Sequence, residues 1–142
     1  MTPANPEDRL RHAALRITKQ RIAVLGALDG HPHIDVASVT RAVRAELGAV
    51  STQAVYDILA ALSAAGLVRK IEPAGSPALY ELGDDGDHHH AVCRGCGAVA
   101  DVPATGRRIL RAAPGFVVED VEVTLWGRCR ACQAEDRDRR KP

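Results

Sequence analysis

Hydrophobic residues in the first half of the chain recur every three to four positions, which is the period of amphipathic helices. This pattern predicts four helices, over residues 7–15, 19–28, 35–47 and 52–65. Thr18 and Ser51 stand directly before two of them and are suitable N-caps, because a hydroxyl oxygen can accept a backbone N–H of the first turn. Gly66 follows the fourth helix, where a glycine commonly ends a helix. The first 66 residues are therefore predicted to be mainly helical.

A β-hairpin is predicted directly after the helices. Residues 67–71 and 78–82 have the composition of short strands, and the loop between them is rich in proline, glycine and serine. The order helix, helix, turn, helix, hairpin is that of a winged helix-turn-helix, which places the second helix of its pair in the major groove of DNA. The sequence therefore predicts a winged-helix DNA-binding domain over residues 1–82.

The fourth predicted helix begins with residues that suit contact with DNA. Ser51, Thr52, Gln53 and Tyr56 offer hydroxyl, amide and aromatic groups to phosphates and thymine methyls. The alternative is an ordinary capped helix with a half-buried tyrosine.

The second half of the chain has a different pattern. Residues 83–87 are polar and acidic and predict a hinge, and the charged residues 135–142 predict a disordered tail. Residues 91–102 and 116–126 alternate like strands, and residues 104–113 between them predict a helix. The predicted fold class is therefore α+β, with a winged helix followed by a small α/β domain over residues 88–134.

Composition restricts the function only broadly. The chain has 142 residues, of which 46% are hydrophobic and only 3% aromatic, so alanine, valine and leucine must fill its core. No stretch reaches the roughly 20 apolar residues of a membrane span, and no signal-peptide pattern is evident, so we expect a cytoplasmic protein with reduced thiols. The net charge of +1 neither favours nor excludes nucleic acid. Five basic residues without an intervening acid form either a DNA-contacting or a merely solvated helix face: Arg9, Arg11, Arg16, Lys19 and Arg21.

Four cysteines form two Cys-x-x-Cys pairs, Cys93 with Cys96 and Cys129 with Cys132. Two chelating thiolate pairs with no cysteine left over predict one tetrahedral zinc site, because thiolates are soft ligands and zinc accepts four of them. The alternatives are two independent redox dithiols or a disulfide.

Three consecutive histidines, His88, His89 and His90, precede the first cysteine pair. In a strand His88 and His90 share one face, and two imidazoles on one face suit iron, zinc, nickel or copper. The alternative is a polar loop. Glu81 and Asp101 are either oxygen ligands of the same metal or surface carboxylates.

Taken together, these segments resemble the Fur family of bacterial metal-dependent repressors over about residues 9–132. The resemblance rests on the order and spacing of five segments, which read RITKQR (16–21), AVY (54–56), GLV (66–68), HHHAVCRGCG (88–97) and LWGRC (125–129). It implies a homodimer that binds a double-stranded DNA operator through the winged helix and dimerises through the α/β domain. Arg16, Lys19 and Arg21 are then expected to contact DNA together with the start of the fourth helix.

The resemblance also implies two metal sites. The four cysteines would hold a structural Zn²⁺, and a regulatory Fe²⁺, for which Mn²⁺ or Zn²⁺ can substitute, would lie between the two halves. Its ligands would be His33, Glu81, His88 and His90, with Asp101 as a candidate fifth. Such a metal would fix the angle between the halves, and thereby the spacing of the two recognition helices of a dimer. Many relatives have a further site, which we expect to be absent here because His89 and Val121 replace two of its ligands.

The resemblance also bears on the physiological role. Ala54 and Asp57 stand where the family commonly has Thr and Arg, so no operator sequence is carried over. Residues 53–57 and 68–71 resemble the branch that represses a neighbouring catalase-peroxidase gene, which implies repression relieved by peroxide. The alternative is a repressor of iron or zinc uptake without peroxide sensing. A metalloenzyme or a zinc-ribbon interaction module would leave the winged helix unexplained, so we expect no enzymatic activity, no small-molecule substrate and no membrane association.

Overall fold

The computed structural model describes residues 5–73, 75–83, 88–103, 113–119 and 121–142. It divides the chain into two compact units, Met1–Asp85 and Gly86–Pro142.

The first unit contains four helices and a three-stranded antiparallel sheet. Its elements in chain order are α1 (Pro6–His12), α2 (Lys19–Asp29), β1 (Ile34–Asp35), α3 (Val36–Leu47), α4 (Thr52–Ala64), β2 (Val68–Ile71) and β3 (Leu79–Leu82). The strand order is β1-β3-β2, so β3 lies in the centre of the sheet. Helices α3 and α4 form the helix-turn-helix pair, and β2 and β3 form the wing that follows it.

Local side-chain chemistry sets the ends of the helices. The Thr18 hydroxyl accepts the Arg21 backbone N–H at 3.1 Å, and the Ser51 hydroxyl accepts the Ala54 N–H at 3.0 Å. Both predicted N-caps are confirmed. Gly66 has a φ of +76°, a left-handed conformation that costs glycine little, and it allows the chain to leave α4 toward β2. The helical boundaries therefore follow from residues that the sequence already marks.

The apolar faces of the helices meet in one core, which belongs to the first unit. Its fully buried members include Leu10, Val24, Leu25, Val39, Val43, Val55, Leu59 and Leu62. Each such side chain contributes roughly 1.5–3 kcal/mol through removal from water. The core fixes α4 against the rest of the unit and leaves its opposite face exposed.

The second unit contains a three-stranded mixed sheet and one helix. Its elements are β4 (His88–Cys93), β5 (Val99–Pro103), β6 (Thr124–Gly127) and α5 (Arg130–Arg139). The central strand β4 pairs antiparallel with β5 and parallel with β6. The predicted α+β class, a winged helix-turn-helix followed by a small α/β unit that carries the four cysteines, is confirmed.

Several predicted strand limits were wrong. Residues 91–102 are not one strand, because the chain reverses between Cys93 and Val99, with Gly97 at a φ of +78°. The last strand begins only at Thr124 rather than at 116. Strand β1 was not predicted at all, since two residues carry no periodicity and form a strand only by pairing with β3.

The prediction of a disordered tail over 135–142 was also wrong, because residues 135–139 continue helix α5. The buried Cys132 side chain anchors the first turn of the helix, and the Arg128 guanidinium pairs with Asp136 at 2.7 Å one turn further on. These two attachments hold a segment whose composition alone favours solvation. The predicted hinge falls largely on residues 84–87 and the predicted helix on residues 104–112, and both lie outside the described residues.

Within the described ranges, no single helix is long and apolar enough to cross a membrane. The pair α3 and α4 meets a length and composition criterion jointly, but the two helices are bent by 107° at their break.

Candidate metal centres and DNA-contacting surface

The structure brings the four cysteines together. Cys93 ends β4, Cys96 lies in the turn toward β5, and Cys129 and Cys132 lie at the N-cap and in the first turn of α5. Their Sγ atoms all lie within 4.8 Å of one another, and those of Cys96 and Cys129 are 3.7 Å apart. The cysteines are free thiols, so the disulfide alternative does not apply.

The geometry of the cluster fits a tetrahedral zinc ion. Four sulfurs at a Zn–S distance of about 2.3 Å stand about 3.8 Å apart in a regular tetrahedron. The 3.7 Å between the Cys96 and Cys129 sulfurs matches that spacing, whereas a disulfide needs about 2.05 Å. The donor set is therefore chemically and geometrically suited to Zn²⁺.

Backbone geometry around Gly95 allows the sulfurs to approach. A Cβ at this position would lie 2.9 Å from the Cys132 sulfur and 3.0 Å from the Arg128 guanidinium, so only glycine fits without displacing them. The Gly95 and Cys129 N–H groups both donate to the Cys93 sulfur, at 3.3 and 3.2 Å. Arg94 stacks over the Trp126 ring at 5.0 Å and packs the same turn against β6.

The thiols differ strongly in acidity. Backbone N–H groups, above all that of Cys129, stabilise the Cys93 thiolate and lower its pKa to about 6. The Cys129 and Cys93 sulfurs, to which the Cys132 thiol is hydrogen-bonded, raise the pKa of Cys132 to about 12. Four thiolates cannot coexist in this space without a cation. A divalent metal would supply that charge, which is why thiolate sites bind metal with release of protons.

In the first unit, the structure places Glu81 beside His33. Glu81 lies on the central strand β3 with only 6% of its side chain exposed, and its Oε2 is 3.4 Å from Nε2 of His33. Its other oxygen, Oε1, is 3.6 Å from Nη1 of Arg69 on the neighbouring strand β2. A buried carboxylate next to an imidazole offers one oxygen and one nitrogen donor that could hold a metal ion. The Arg69 contact was not predicted, although the strand pairing of the hairpin could have indicated it.

In the second unit, His88, His90 and Asp101 converge. Nε2 of His88 and Nε2 of His90 each lie 3.7 Å from Oδ1 of Asp101, which faces His90 across the β4–β5 pairing. His90 is buried and Asp101 is half-exposed, so the group opens toward solvent on one side. His89 lies in the same strand between them, and its buried Nδ1 has no hydrogen-bond partner among the described residues.

Helix α4 presents the predicted DNA-contacting residues to solvent. Ser51, Thr52 and Gln53 are exposed at its start, and Tyr56 is 47% exposed one turn later. The Gln53 amide donates to the Asp57 carboxylate at 2.9 Å, one helical turn further along α4. The helix thus has a polar face that no core residue covers.

The basic residues at the start of α2 lie mostly in solvent. Arg16 and Lys19 are exposed, whereas Arg21 is partly buried and donates to the Arg16 carbonyl at 2.9 Å. This hydrogen bond fixes the backbone before α2, the helix that Thr18 caps. These three residues therefore lie close together at the start of one helix.

A winged helix with an exposed polar recognition helix, in one chain with a thiolate cluster and histidine–carboxylate pairs, is the architecture of a metal-responsive DNA-binding regulator. The chain belongs to the Ferric uptake regulator (Fur) family, whose model matches residues 12–125. The predicted family is confirmed, and the chain is accordingly a metal-dependent transcriptional regulator rather than an enzyme.

Individual relatives support this assignment over most of the chain. The transcriptional regulator FurA of Mycobacterium tuberculosis is 49% identical over 139 residues, which cover 95% of each chain. The ferric uptake regulator of Pseudomonas aeruginosa with manganese superposes with a TM-score of 0.70 and 29% identity, covering 88% of this chain and 98% of that one. A zinc uptake regulator complexed with zinc and DNA superposes with a TM-score of 0.68 and 26% identity, covering 92% of both chains.

Proposed function

We propose that this regulator is a homodimeric repressor of oxidative-stress genes, such as a catalase-peroxidase gene, and that it binds its operator when loaded with iron and releases it on exposure to peroxide. The observation that carries the proposal is the placement of a histidine–carboxylate pair in each of two units, one of which is the DNA-binding winged helix. The similarity to FurA over the length of the chain supports the FurA-like branch.

The proposed domains have separate tasks. Residues 1–82 bind DNA, with contacts from Ser51, Thr52, Gln53 and Tyr56 and from the basic residues Arg16, Lys19 and Arg21. Residues 88–134 dimerise, and residues 83–87 connect the two in a cytoplasmic protein. The exposed polar face of α4 supports this assignment, as does the complex of the zinc uptake regulator with DNA.

The proposed metals also have separate tasks. Structural Zn²⁺ held by the four cysteines keeps the α/β domain folded. Regulatory Fe²⁺, with Mn²⁺ or Zn²⁺ as substitutes, is held by His33 and Glu81 from one unit and by His88, His90 and Asp101 from the other. A metal held by both units in this way would select one angle between them. Only a dimer with the matching angle places both recognition helices on successive half-sites.

Peroxide sensing follows from the redox chemistry that ferrous iron supplies when bound. Fe²⁺ held there would give an electron to peroxide, and the oxidant so formed would oxidise a ligand imidazole, which we propose to be that of His33 or of a neighbouring histidine. An oxidised imidazole binds the metal less well. The two units would then lose the metal that they share, and the operator would be released.

The test is binding to a fluorescent duplex of the gene's own upstream DNA at fixed salt. Chelated protein is compared with the Fe²⁺, Mn²⁺ and Zn²⁺ forms, each before and after peroxide. We expect tight binding by the metal-loaded forms and a peroxide-induced loss of binding by the Fe²⁺ form alone, with a mass increase on the peptide that contains His33. Loss of binding by all three forms would place the oxidation at the cysteines instead.

The second candidate is a repressor of iron or zinc uptake without peroxide sensing. The name of the P. aeruginosa relative, a ferric uptake regulator, favours it. Fe²⁺-loaded protein that keeps both its mass and its DNA affinity after peroxide would select this function.

A further inference from the structure

The carboxylate of Glu81 has two cationic or potentially cationic neighbours within the first unit. Its Oε2 faces His33 at 3.4 Å and its Oε1 faces Arg69 at 3.6 Å. Arg69 and Glu81 are directly opposed in the β2–β3 pairing, so their side chains project from the same face of the sheet. The proposed metal ligand is thus shared with a guanidinium from the wing.

We propose that Arg69 competes with the regulatory metal for Glu81 and thereby raises the metal concentration at which the regulator loads. The inference rests on the proposed function, in which Glu81 is a ligand of the regulatory metal. A divalent cation and a guanidinium that share one carboxylate repel each other, and each reduces the negative charge available to the other. Arg69 is 39% exposed and can turn toward solvent, so it weakens metal binding without preventing it.

The same contact stabilises the metal-free protein. Glu81 is 6% exposed, and a buried carboxylate is costly unless a positive charge or hydrogen-bond donors lie nearby. Removing Arg69 therefore has two opposite consequences. The metal-free protein becomes less stable, and the protein binds the regulatory metal more tightly. A merely structural role would weaken both, so the sign of the affinity change distinguishes the two.

The chain provides a matched control on the same strand. Lys70 follows Arg69, carries the same charge and pairs with Glu72 at 2.7 Å on the exposed side of the hairpin. Lys70→Met removes one positive charge from the wing without touching Glu81, whereas Arg69→Met removes it beside the carboxylate and keeps an aliphatic side chain. Arg69→Lys keeps the charge.

The experiment is a titration of zinc-loaded protein with Mn²⁺, a probe that thiolates do not favour. Arg69→Met is expected to lower the Mn²⁺ dissociation constant by roughly fivefold, the effect of one half-exposed ion pair. Lys70→Met and Arg69→Lys are expected to change it by less than about twofold. Thermal unfolding provides the second readout: Arg69→Met melts earlier than wild type without Mn²⁺ and gains more from its addition. Arg69→Gln gives the same test if the methionine variant does not fold.

Equal or weaker Mn²⁺ binding by Arg69→Met overturns the inference, and so does a Lys70→Met protein that binds as tightly as Arg69→Met. Glu81→Gln separates this failure from failure of the proposed function. If Glu81→Gln weakens Mn²⁺ binding while Arg69→Met leaves it unchanged, only the role of Arg69 is refuted. If Glu81→Gln has no effect, Glu81 is not a ligand, and the proposed regulatory site is refuted together with the inference.

Discussion

Removal of the metal from the four cysteines should unfold the second unit and leave the first one folded. The reason lies in the distribution of buried apolar side chains. The large hydrophobic core belongs to the first unit, whereas the buried apolar residues among the described part of the second are only Val92, Cys93 and Cys132. Two of these three are themselves proposed zinc ligands. Among the described residues of the second unit, the cysteine cluster therefore accounts for most of the buried apolar contacts.

The magnitudes agree with this expectation. Burial of Val92 contributes about 2 kcal/mol, whereas a structural zinc site contributes on the order of 10–16 kcal/mol at neutral pH. A typical domain is stable by only about 5–15 kcal/mol. A zinc contribution of this size is comparable with the whole stability of a typical domain, so we expect the second unit to unfold without it, while the core around Leu59 and Leu62 in the first unit is unaffected.

Two spectroscopic signals follow the two units separately. Trp126 is its single tryptophan and lies on β6 next to the cluster, so its fluorescence follows the second unit. Far-UV circular dichroism mainly follows α1 to α4 of the first unit. After a strong chelator removes the zinc, we expect a red-shifted Trp126 emission and rapid amide exchange in β4 to β6, with most of the helical signal retained until a later transition.

The matched control is Cys132→Ser, which removes one ligand and should reproduce the effect of the chelator without any added reagent. Restoring zinc should reverse the change in the wild type and not in this variant. An unchanged Trp126 spectrum and retained amide protection in β4, with metal analysis showing that the zinc has gone, would mean that the second unit does not need the metal to fold.

Three smaller perturbations test individual contacts. Ser51→Ala removes the N-cap of α4 and should lower the free energy of unfolding in urea by about 1 kcal/mol. Ser51→Asp, which can cap equally well, should unfold like the wild type. Asp35 caps α3, and the backbone N–H three residues later lowers its carboxyl pKa. Its stabilisation is therefore present above the ordinary aspartate pKa of about 3.9 and lost as the pH falls through the lowered value, so Asp35→Asn should flatten acid unfolding curves. Arg128→Ala breaks the pair with Asp136 and should cost about 1 kcal/mol or less but should speed zinc release to a chelator, whereas Lys141→Ala should not.

The sequence predicted best where the determinants are local. The N-caps Thr18 and Ser51 and the helix-ending Gly66 act within one helical turn, so they can be recognised from the sequence alone. The two Cys-x-x-Cys pairs could likewise be recognised from the sequence, because the spacing of two chelating cysteines is a local property of the chain. The structure brings these four sulfurs together as the spacing indicates.

Features that depend on distant partners were not predictable in the same way. Strand β1 exists only because Ile34 and Asp35 pair with β3, some 45 residues later in the chain. The C-terminal helix persists in a highly charged segment because Cys132 and the Arg128–Asp136 pair attach it. The contact between Arg69 and Glu81 likewise required the register of the hairpin. In each case the cause is a contact between side chains or strands that the periodicity of a single segment does not show.

Operator binding as a function of metal concentration tests directly whether this protein is a metal-dependent regulator. Fluorescence anisotropy of a labelled upstream duplex at fixed salt, with zinc-loaded protein and increasing Mn²⁺, measures whether the regulatory site controls DNA affinity. We expect weak, salt-sensitive binding without Mn²⁺ and a large gain on its addition, which His33→Ala and His90→Ala each abolish. Equally tight, sequence-specific binding in the absence and presence of Mn²⁺, with no effect of either variant, would contradict it.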